Sequence, residues 1–484
     1  LVEQKNKQAR LNFPPKNFMS KFNEKKETTK VANLAGGKAF KHDSKAELIL
    51  AVLTTFLEDK YYESGGERIK RITELVNQTD DLFVAKLAIV ARNQFHLRSV
   101  STLLISLLSR KHRGDNLVKR VIEQATERLD DLTELVALLK KPIPKQVKRG
   151  IRHALLKFSP YQLAKYKCEG KKVKLVDLFN LAHPNPKFAT DEQKVAWKDL
   201  IDGNLKNTET WEARLSSGED KKKVWKDLVG ENKIGYMALL RNLRNIAKDG
   251  DDITIKKACN IITDINAVRN SKQLPFRFYN AYDNIGNQDM LEAISKALDI
   301  SLSNVPKLEG KTLIAVDTSG SMSGDPIKKA AILAAALFKS NDADLIQYNT
   351  SIGQFKLIRN DSTLTISNHI IRNANGGGTR TSLVYKYALE QLEKGIKYDR
   401  IIVLSDNESW VEGSYGYGVQ THYNEYRKKN DCFIYCFDLQ GYGTKDISSS
   451  KALHLGGYSD KIFDFMNSLE KGDSLIKLIE ETQI

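Results

Sequence analysis

Hydrophobic periodicity changes once along this chain, near Pro306, and that change constrains the fold more than any other feature. From about Asp43 to Leu302, apolar residues return every three or four positions in KAELILAVLTTFLED, DDLFVAKLAIVARNQ, SVSTLLISLLSR, LVKRVIEQATERL and DLTELVALLKK. That spacing gathers them on one stripe of an α-helix. Polar joints at Gly65–Gly66, at Gly114 and at Pro142 and Pro144 separate the stripes, as tight helix–helix connections require. No alternating strand-like run is present in this part. A long series of helices without strands predicts stacked helix pairs, and the absence of a strict period makes the repeats divergent. Residues 1–40 are polar, end in AGGKAF and are expected to form a loosely held arm.

Beyond Pro306 short apolar runs alternate with amphipathic helices. TLIAVD (312–317) is followed by the small-residue loop SGSMSGD and the helix PIKKAAILAAALFKS. ADLIQYN, QFKLI, a helical stretch to Arg372, the loop NANGGGTRTS, the helix LVYKYALEQLEKG, IIVLSD (401–406), HYNEYRKKN and CFIYCFDL follow. Buried strands alternating with helices predict a mostly parallel sheet covered on both faces, with sites at the carboxyl ends of its strands. The expected architecture is therefore multidomain: the arm (1–40), an all-α helical-repeat module of HEAT-like kind (41–306), and a doubly wound, Rossmann-type α/β domain (307–484).

Charge separates the same two parts. The chain carries 76 Lys+Arg against 60 Asp+Glu. Residues 1–306 hold 55 basic and 38 acidic side chains, a net of +17, whereas 307–484 hold 21 and 22. Such asymmetry predicts a polyanionic partner for the helical part alone; a merely soluble basic surface is the alternative. Four scattered cysteines are too few for a disulfide scaffold, and Cys432 and Cys436 read as buried free thiols. No apolar run reaches the 18 or so residues of a spanning helix, and the polar start, LVEQKNKQAR, lacks a signal-peptide core. A soluble, cytoplasmic protein without a membrane partner is expected.

Asp317, Ser319 and Ser321 form D-x-S-x-S directly after a strand. A carboxylate and two hydroxyls on a curling loop make a hard-oxygen half-cage suited to Mg²⁺. Gly376–Gly378 precede Thr379, which offers a third hydroxyl, and Asp406 ends another strand with a second carboxylate. The set D-x-S-x-S … G-G-T … S-D resembles the metal-ion-dependent adhesion site of von Willebrand factor A-like domains, in order, over residues 311–484. The resemblance implies a divalent cation, expected to be Mg²⁺, that captures an acidic group of a partner. The site is expected near the surface, contributing little to the core. The alternative is a polar turn in an unrelated α/β domain. No paired His or nucleophile accompanies the aspartates, so no catalytic residue is assigned and no enzymatic activity is expected.

Twelve basic residues and one acid, Glu169, lie between Lys140 and Lys174. Lys145, Lys148, Arg149 and Arg152 share one helix face, and Val147, Ile151, Leu155 and Phe158 the opposite one. Lys157, Lys165, Lys167, Lys171, Lys172 and Lys174 continue the run, interleaved with Tyr161, Tyr166 and, beyond it, His183. Cations among aromatic rings suit single-stranded RNA; a solvated charged face is the bland alternative.

YQLAKYKCEG followed by VDLFNLAHPNPK resembles the signature stretch of the TROVE-module proteins, the Ro autoantigen family. YMALLRNLRNI, SDNES and NEYRKKND are also similar to that family's pattern, as is an A-type domain after a long helical module. The resemblance implies a monomeric ring of HEAT-like repeats whose ends are bridged by the A-type domain. It further implies small noncoding Y-like RNAs on the outer surface and 3′ ends of misfolded RNAs in the hole, with an exoribonuclease tethered through RNA. Lys165 in AKYK and His183 in LAHP match family RNA contacts. A family arginine has no counterpart: Glu169 falls there, and Lys171 is the expected substitute. Arg241 and Arg244 are expected either to face the ring interior or to bind carboxylates of neighbouring repeats. The competing reading of the whole is a protein-interaction module whose metal site captures an acidic partner.

Overall fold

The computed structural model describes residues 30–33, 38–41, 43–53, 65–139, 141–167, 170–206, 211–305, 307–409, 418–449, 451–456, 466 and 475–484. The helical part runs from the helix Ser44–Leu53 to the helix Gln288–Ser301. Its helices start where a side-chain oxygen accepts an otherwise unpaired first-turn amide: Asp80 from Phe83, Ser159 from Gln162, Asp251 from Thr254 and Asn287 from Met290. The apolar stripes read from the sequence are buried. Leu48, Val84, Leu104, Val121, Ile122, Val147 and Ile151 lie in one core that continues to Leu200, and a second core begins at Val224. Gly150, on the helix Lys145–Ala154, marks the closest approach. A Cβ there would stand 2.9 Å from Ile122 Cβ, so the two helices pack at a distance only glycine permits.

The α/β domain has a six-stranded sheet, built from β3 (Thr312–Asp317), β4 (Ala343–Tyr348), β5 (Ile352–Gln354), β6 (Arg400–Ser405), β7 (Phe433–Asp438) and β9 (Ala452–Gly456) in the order β5-β4-β3-β6-β7-β9. All neighbours are parallel except β4 and β5. Alternation along β3 sends Ile314 and Val316 to one face, with the helix Asp325–Ser340, and Leu313 and Ala315 to the other, with the helices Ser382–Glu393 and Val419–Lys429. This is the doubly wound arrangement expected. Two details differ. The strand expected in QFKLI ends at Gln354, because only residues 352–354 reach β4, and β9 was not anticipated. Cys432 and Cys436 are buried and free; burial pushes both thiols up, Cys432 to about 11.

Both ends of the helical array rest on this domain. At the C-terminal end of the array, Lys328 pairs with Asp283 at 2.7 Å, and Asp299 accepts the Thr363 amide at 2.9 Å. At the N-terminal end, β1 (Lys30–Ala32) and β2 (Lys38–Lys41) form an antiparallel pair that continues into β8 (Thr444–Lys445) of the α/β domain. Arg68 and Arg71 donate to the carbonyls of Gln440 and Gly441. The C-terminal helix Leu475–Glu481 buries Ile479 in the N-terminal core, and Glu480 pairs with Lys45 at 2.9 Å. The array is thereby closed on itself through the α/β domain. Residues 30–32 and 38–40, expected within a loose arm, lie in the strands of that seam; residues 1–29 and 34–37 lie outside the described residues.

Candidate cation site and basic surface

Three loops at the carboxyl ends of β3 and β6 and before the helix Ser382–Glu393 meet at Asp317, Thr379 and Asp406. Asp317 Oδ1 accepts the Ser319 amide at 2.9 Å, and Oδ2 accepts the Ser405 hydroxyl at 2.6 Å. The Ser319 and Ser321 hydroxyl oxygens stand 3.4 Å apart. The glycine loop is clamped onto the first: Gly320 N–H donates to Gly377 O at 2.9 Å, and Gly376 N–H to Thr318 O at 3.1 Å. Gly376 and Gly377 adopt φ of 72° and 90°, a backbone that side chains rarely tolerate, which is why glycine precedes Thr379. All five predicted ligands are therefore brought to one end of the sheet.

They are not near the surface. Asp317 and Asp406 are 0% exposed, and Ser319, Ser321 and Thr379 are 2–6% exposed. This corrects the expectation of an exposed site, and the reason is the clamped loops that roof the aspartates. Burial pushes both carboxyls above the ordinary range, and for Asp406 the charges of Asp317 and Glu408 add to the effect. Asp406 Oδ1 accepts the Glu408 amide at 3.3 Å, whereas Oδ2 is buried with no hydrogen-bond partner among the described residues. Two buried carboxylates, three hydroxyls and an orphaned carboxylate oxygen fit a hard divalent cation. Ser405, Asn407, Glu408 and Ser409 support the ligands and were not foreseen individually. Their one sequence signal was the SDNES segment.

The basic surface divides into engaged and free cations. Val147, Ile151, Leu155 and Phe158 are buried, as the helical pattern requires. The side chains of Lys145, Lys148 and Arg149 make no ion pair or hydrogen bond among the described residues, and Lys145 and Arg149 are exposed. Arg152, predicted on the same cationic face, instead donates to Ala182 O at 2.8 Å, closing the end of the helix Leu175–Ala182. Lys167 donates to Leu205 O, and Lys157 to Glu123 O and Thr126 O. The wheel gave their face but not the carbonyls beside it.

Lys165 ends the helix Pro160–Lys165, with its amine 5.6 Å from the Tyr166 ring; the Arg128 guanidinium is 4.8 Å from the same ring. His183 caps its helix through its backbone N–H to Phe179 O, in a left-handed conformation with φ 47°. Its side chain is exposed and bonds no described residue. The cap is made by the main chain, which leaves the imidazole available. Lys171 is exposed; Glu169 lies outside the described residues. Arg241 and Arg244 are exposed on the helix Tyr236–Asp249, with no carboxylate partner among the described residues.

A helical array closed on a doubly wound domain that carries a hard-oxygen cradle defines a two-part, ring-closing class of protein. Residues 203–312 match the TROVE domain family model. Telomerase protein component 1 of Mus musculus is 37% identical over 94 residues and that of Rattus norvegicus 35% over 94, in each case 18% of this chain and 3% of the relative. The chain thus spans about 3% of the length of these curated relatives. The crystal structure of the Deinococcus radiodurans Ro (RSR) protein is similar with a TM-score of 0.60 at 16% identity, covering 87% of this chain and 98% of that one. That likeness speaks to the fold. The chain thus carries a match to the TROVE domain over residues 203–312 within a fold similar to that of the Ro structure. YMALLRNLRNI lies within the matched residues, whereas the stretches around Lys165 and His183 precede them.

Proposed function

We propose that the chain binds small structured noncoding RNA, of the Y-like class, on the basic surface between Lys145 and His183, and acts as an RNA scaffold or quality-control factor. One observation carries the reading: Lys145, Lys148, Arg149, Lys165, Lys171 and His183 are left without acidic partners among the described residues. By contrast, Arg92 and Arg98, which hold helices of the array together, are paired with Asp131. Unpaired cations beside the Tyr166 ring and an exposed imidazole suit phosphate contact and base stacking together. A non-glycine residue held at positive φ at His183 adds to this, since a glycine cap would cost less. Entry of 3′ ends of misfolded RNA past Arg241 and Arg244, with degradation by a separate exoribonuclease, completes the proposal. In the α/β domain, read as von Willebrand factor A-like, Asp317, Ser319, Ser321, Thr379 and Asp406 would hold Mg²⁺. The orphaned Asp406 Oδ2 favours that second activity, capture of an acidic partner group through the ion.

The test is Lys165→Ala with His183→Ala against Lys394→Ala with Lys397→Ala, two exposed lysines of the α/β domain. Binding of a folded small RNA is measured by fluorescence anisotropy across salt concentrations. The first pair should weaken binding about tenfold or more, from contacts worth about 1–3 kcal/mol each. Equal losses from both pairs would show that only charge is being read, and would remove the site.

A further inference from the structure

The loop that supplies Asp406 is also the loop on which the ring is fastened. Ser409, three residues on, faces both ways. Its hydroxyl donates to Thr379 O at 3.4 Å and accepts the Thr381 amide at 3.3 Å, fixing the glycine–threonine loop of the cation site. Its carbonyl accepts the Asn33 side-chain amide at 2.8 Å, from the residue that follows β1. Glu408 Oε1 accepts the Thr444 hydroxyl at 3.1 Å, and Thr444 lies on β8, paired with Lys41 of β2. Asn33, Glu408 and Ser409 are all buried, so these bonds are shielded from water. Between Asp406 and Glu408, Asn407 adopts φ 58°, a left-handed turn that asparagine accommodates more readily than most residues.

We propose that Asn33 and Thr444 are positioning residues of the cation site, so that cation binding and closure of the seam are thermodynamically linked. The inference rests on the cation reading above. Two of the three ligand loops, those of Thr379 and Asp406, take their geometry from Ser409 and Glu408. Ser409 is in turn held by Asn33, which docking of the strand pair β1–β2 brings to it, and Glu408 by Thr444 of β8, the strand on which that pair docks. An ion that binds the seated loops therefore favours docking, and by reciprocity docking raises the affinity for the ion by the same factor. Asn33 is 376 positions from Ser409, so its coupling spans the ring's closing contact, whereas Thr444, 36 positions from Glu408, belongs to the α/β strand on which that contact is made.

The experiment uses the full chain. Mg²⁺ affinity is measured by calorimetry for the wild type, Asn33→Ala, Thr444→Val, Thr444→Ser and Asp317→Asn, and amide hydrogen exchange of residues 30–41 is followed with Mg²⁺ or EDTA. Mg²⁺ should slow exchange at 30–41 in the wild type. Asn33→Ala and Thr444→Val should each weaken Mg²⁺ binding about two- to tenfold, the equilibrium equivalent of one net hydrogen bond. Thr444→Ser, which keeps the hydroxyl, should restore affinity, a result that poorer packing alone would not give. Wild-type exchange needs no variant to fold. Mg²⁺ binding that is abolished by Asp317→Asn but leaves exchange at 30–41 unchanged overturns the linkage and leaves the cation site standing. Absence of Mg²⁺ binding to the wild type removes both.

Discussion

Replacing Asp317 by Asn removes one of the two carboxylates among the candidate ligands and separates a cation site from a merely polar turn. Without an ion, Asp317 and Asp406 face each other's charge in a region both share at 0% exposure, and burial pushes each carboxyl up. A carboxyl raised in the folded state binds more protons folded than unfolded. Its ionisation therefore destabilises the fold as pH rises from the ordinary value, about 4, through the raised one. At pH 7 the metal-free wild type bears that cost and Asp317→Asn bears less of it, so the metal-free variant should melt at or above the metal-free wild type. An ion at a hundred times its dissociation constant stabilises by about 2.7 kcal/mol. In a domain of roughly 150–250 residues, 1 kcal/mol is worth about 2–4 °C, so Mg²⁺ should raise the wild-type melting temperature by about 5–10 °C. Asp317→Asn should not respond. As pH falls from neutrality towards about 4, protons occupy the carboxylates and the wild-type increment should shrink. Differential scanning calorimetry with Mg²⁺ or EDTA at each pH reads all of this. Retention of the full increment by the variant, or a metal-free variant melting several degrees below the metal-free wild type, refutes the reasoning.

Removing the free cations Lys145, Lys148 and Arg149 together should flatten the salt dependence of RNA binding, by up to about one unit of slope for each phosphate no longer neutralised. Arg152→Ala should leave that slope unchanged and instead lower stability by about 1 kcal/mol, since its guanidinium holds Ala182 O; urea unfolding and RNA titration together test the division. Gly150→Ala should destabilise by about 1–3 kcal/mol, because the added methyl meets Ile122 at 2.9 Å, and an unchanged urea midpoint would contradict the packing. Arg92→Ala should cost about 3–5 kcal/mol by leaving buried Asp131 short of a partner bonded at 2.9 Å; retention of wild-type stability would mean that Arg98 suffices alone.

The division at Pro306, the helical stripes and the strands TLIAVD and IIVLSD were legible because each is set by local periodicity and burial. The meeting of Asp317, Thr379 and Asp406 was legible because each of these residues sits at the end of a strand or beside a glycine run. The seam was not. KVA and KAFK are too short to signal strands, and their partner Thr444–Lys445 lies some 400 positions away, so only the folded chain brings them together. The docking of Ile479 into the N-terminal core is hidden for the same reason. A helical wheel likewise assigned Arg152 to the free cationic face, although its guanidinium closes a neighbouring helix.

Charge is handled in opposite ways in the two parts, and this bears on how their ligands interact. In the helical part Arg98 pairs with Asp130 and Asp131, whereas Lys145, Lys148, Arg149, Lys165 and Lys171 have no acidic partner among the described residues. In the α/β domain the two carboxylates of the candidate cation site, Asp317 and Asp406, are buried. A polyanion and a hard cation therefore seek different places, and neither needs the other to bind. Chelation should leave the salt slope of RNA binding unchanged, because the phosphate contacts do not pass through the ion. Any effect of Mg²⁺ on RNA affinity should then travel through the seam at Asn33 and Thr444 and vanish in Asn33→Ala. An Mg²⁺ effect that survives in Asn33→Ala, or that changes the slope, would mean that the ion contacts the RNA directly.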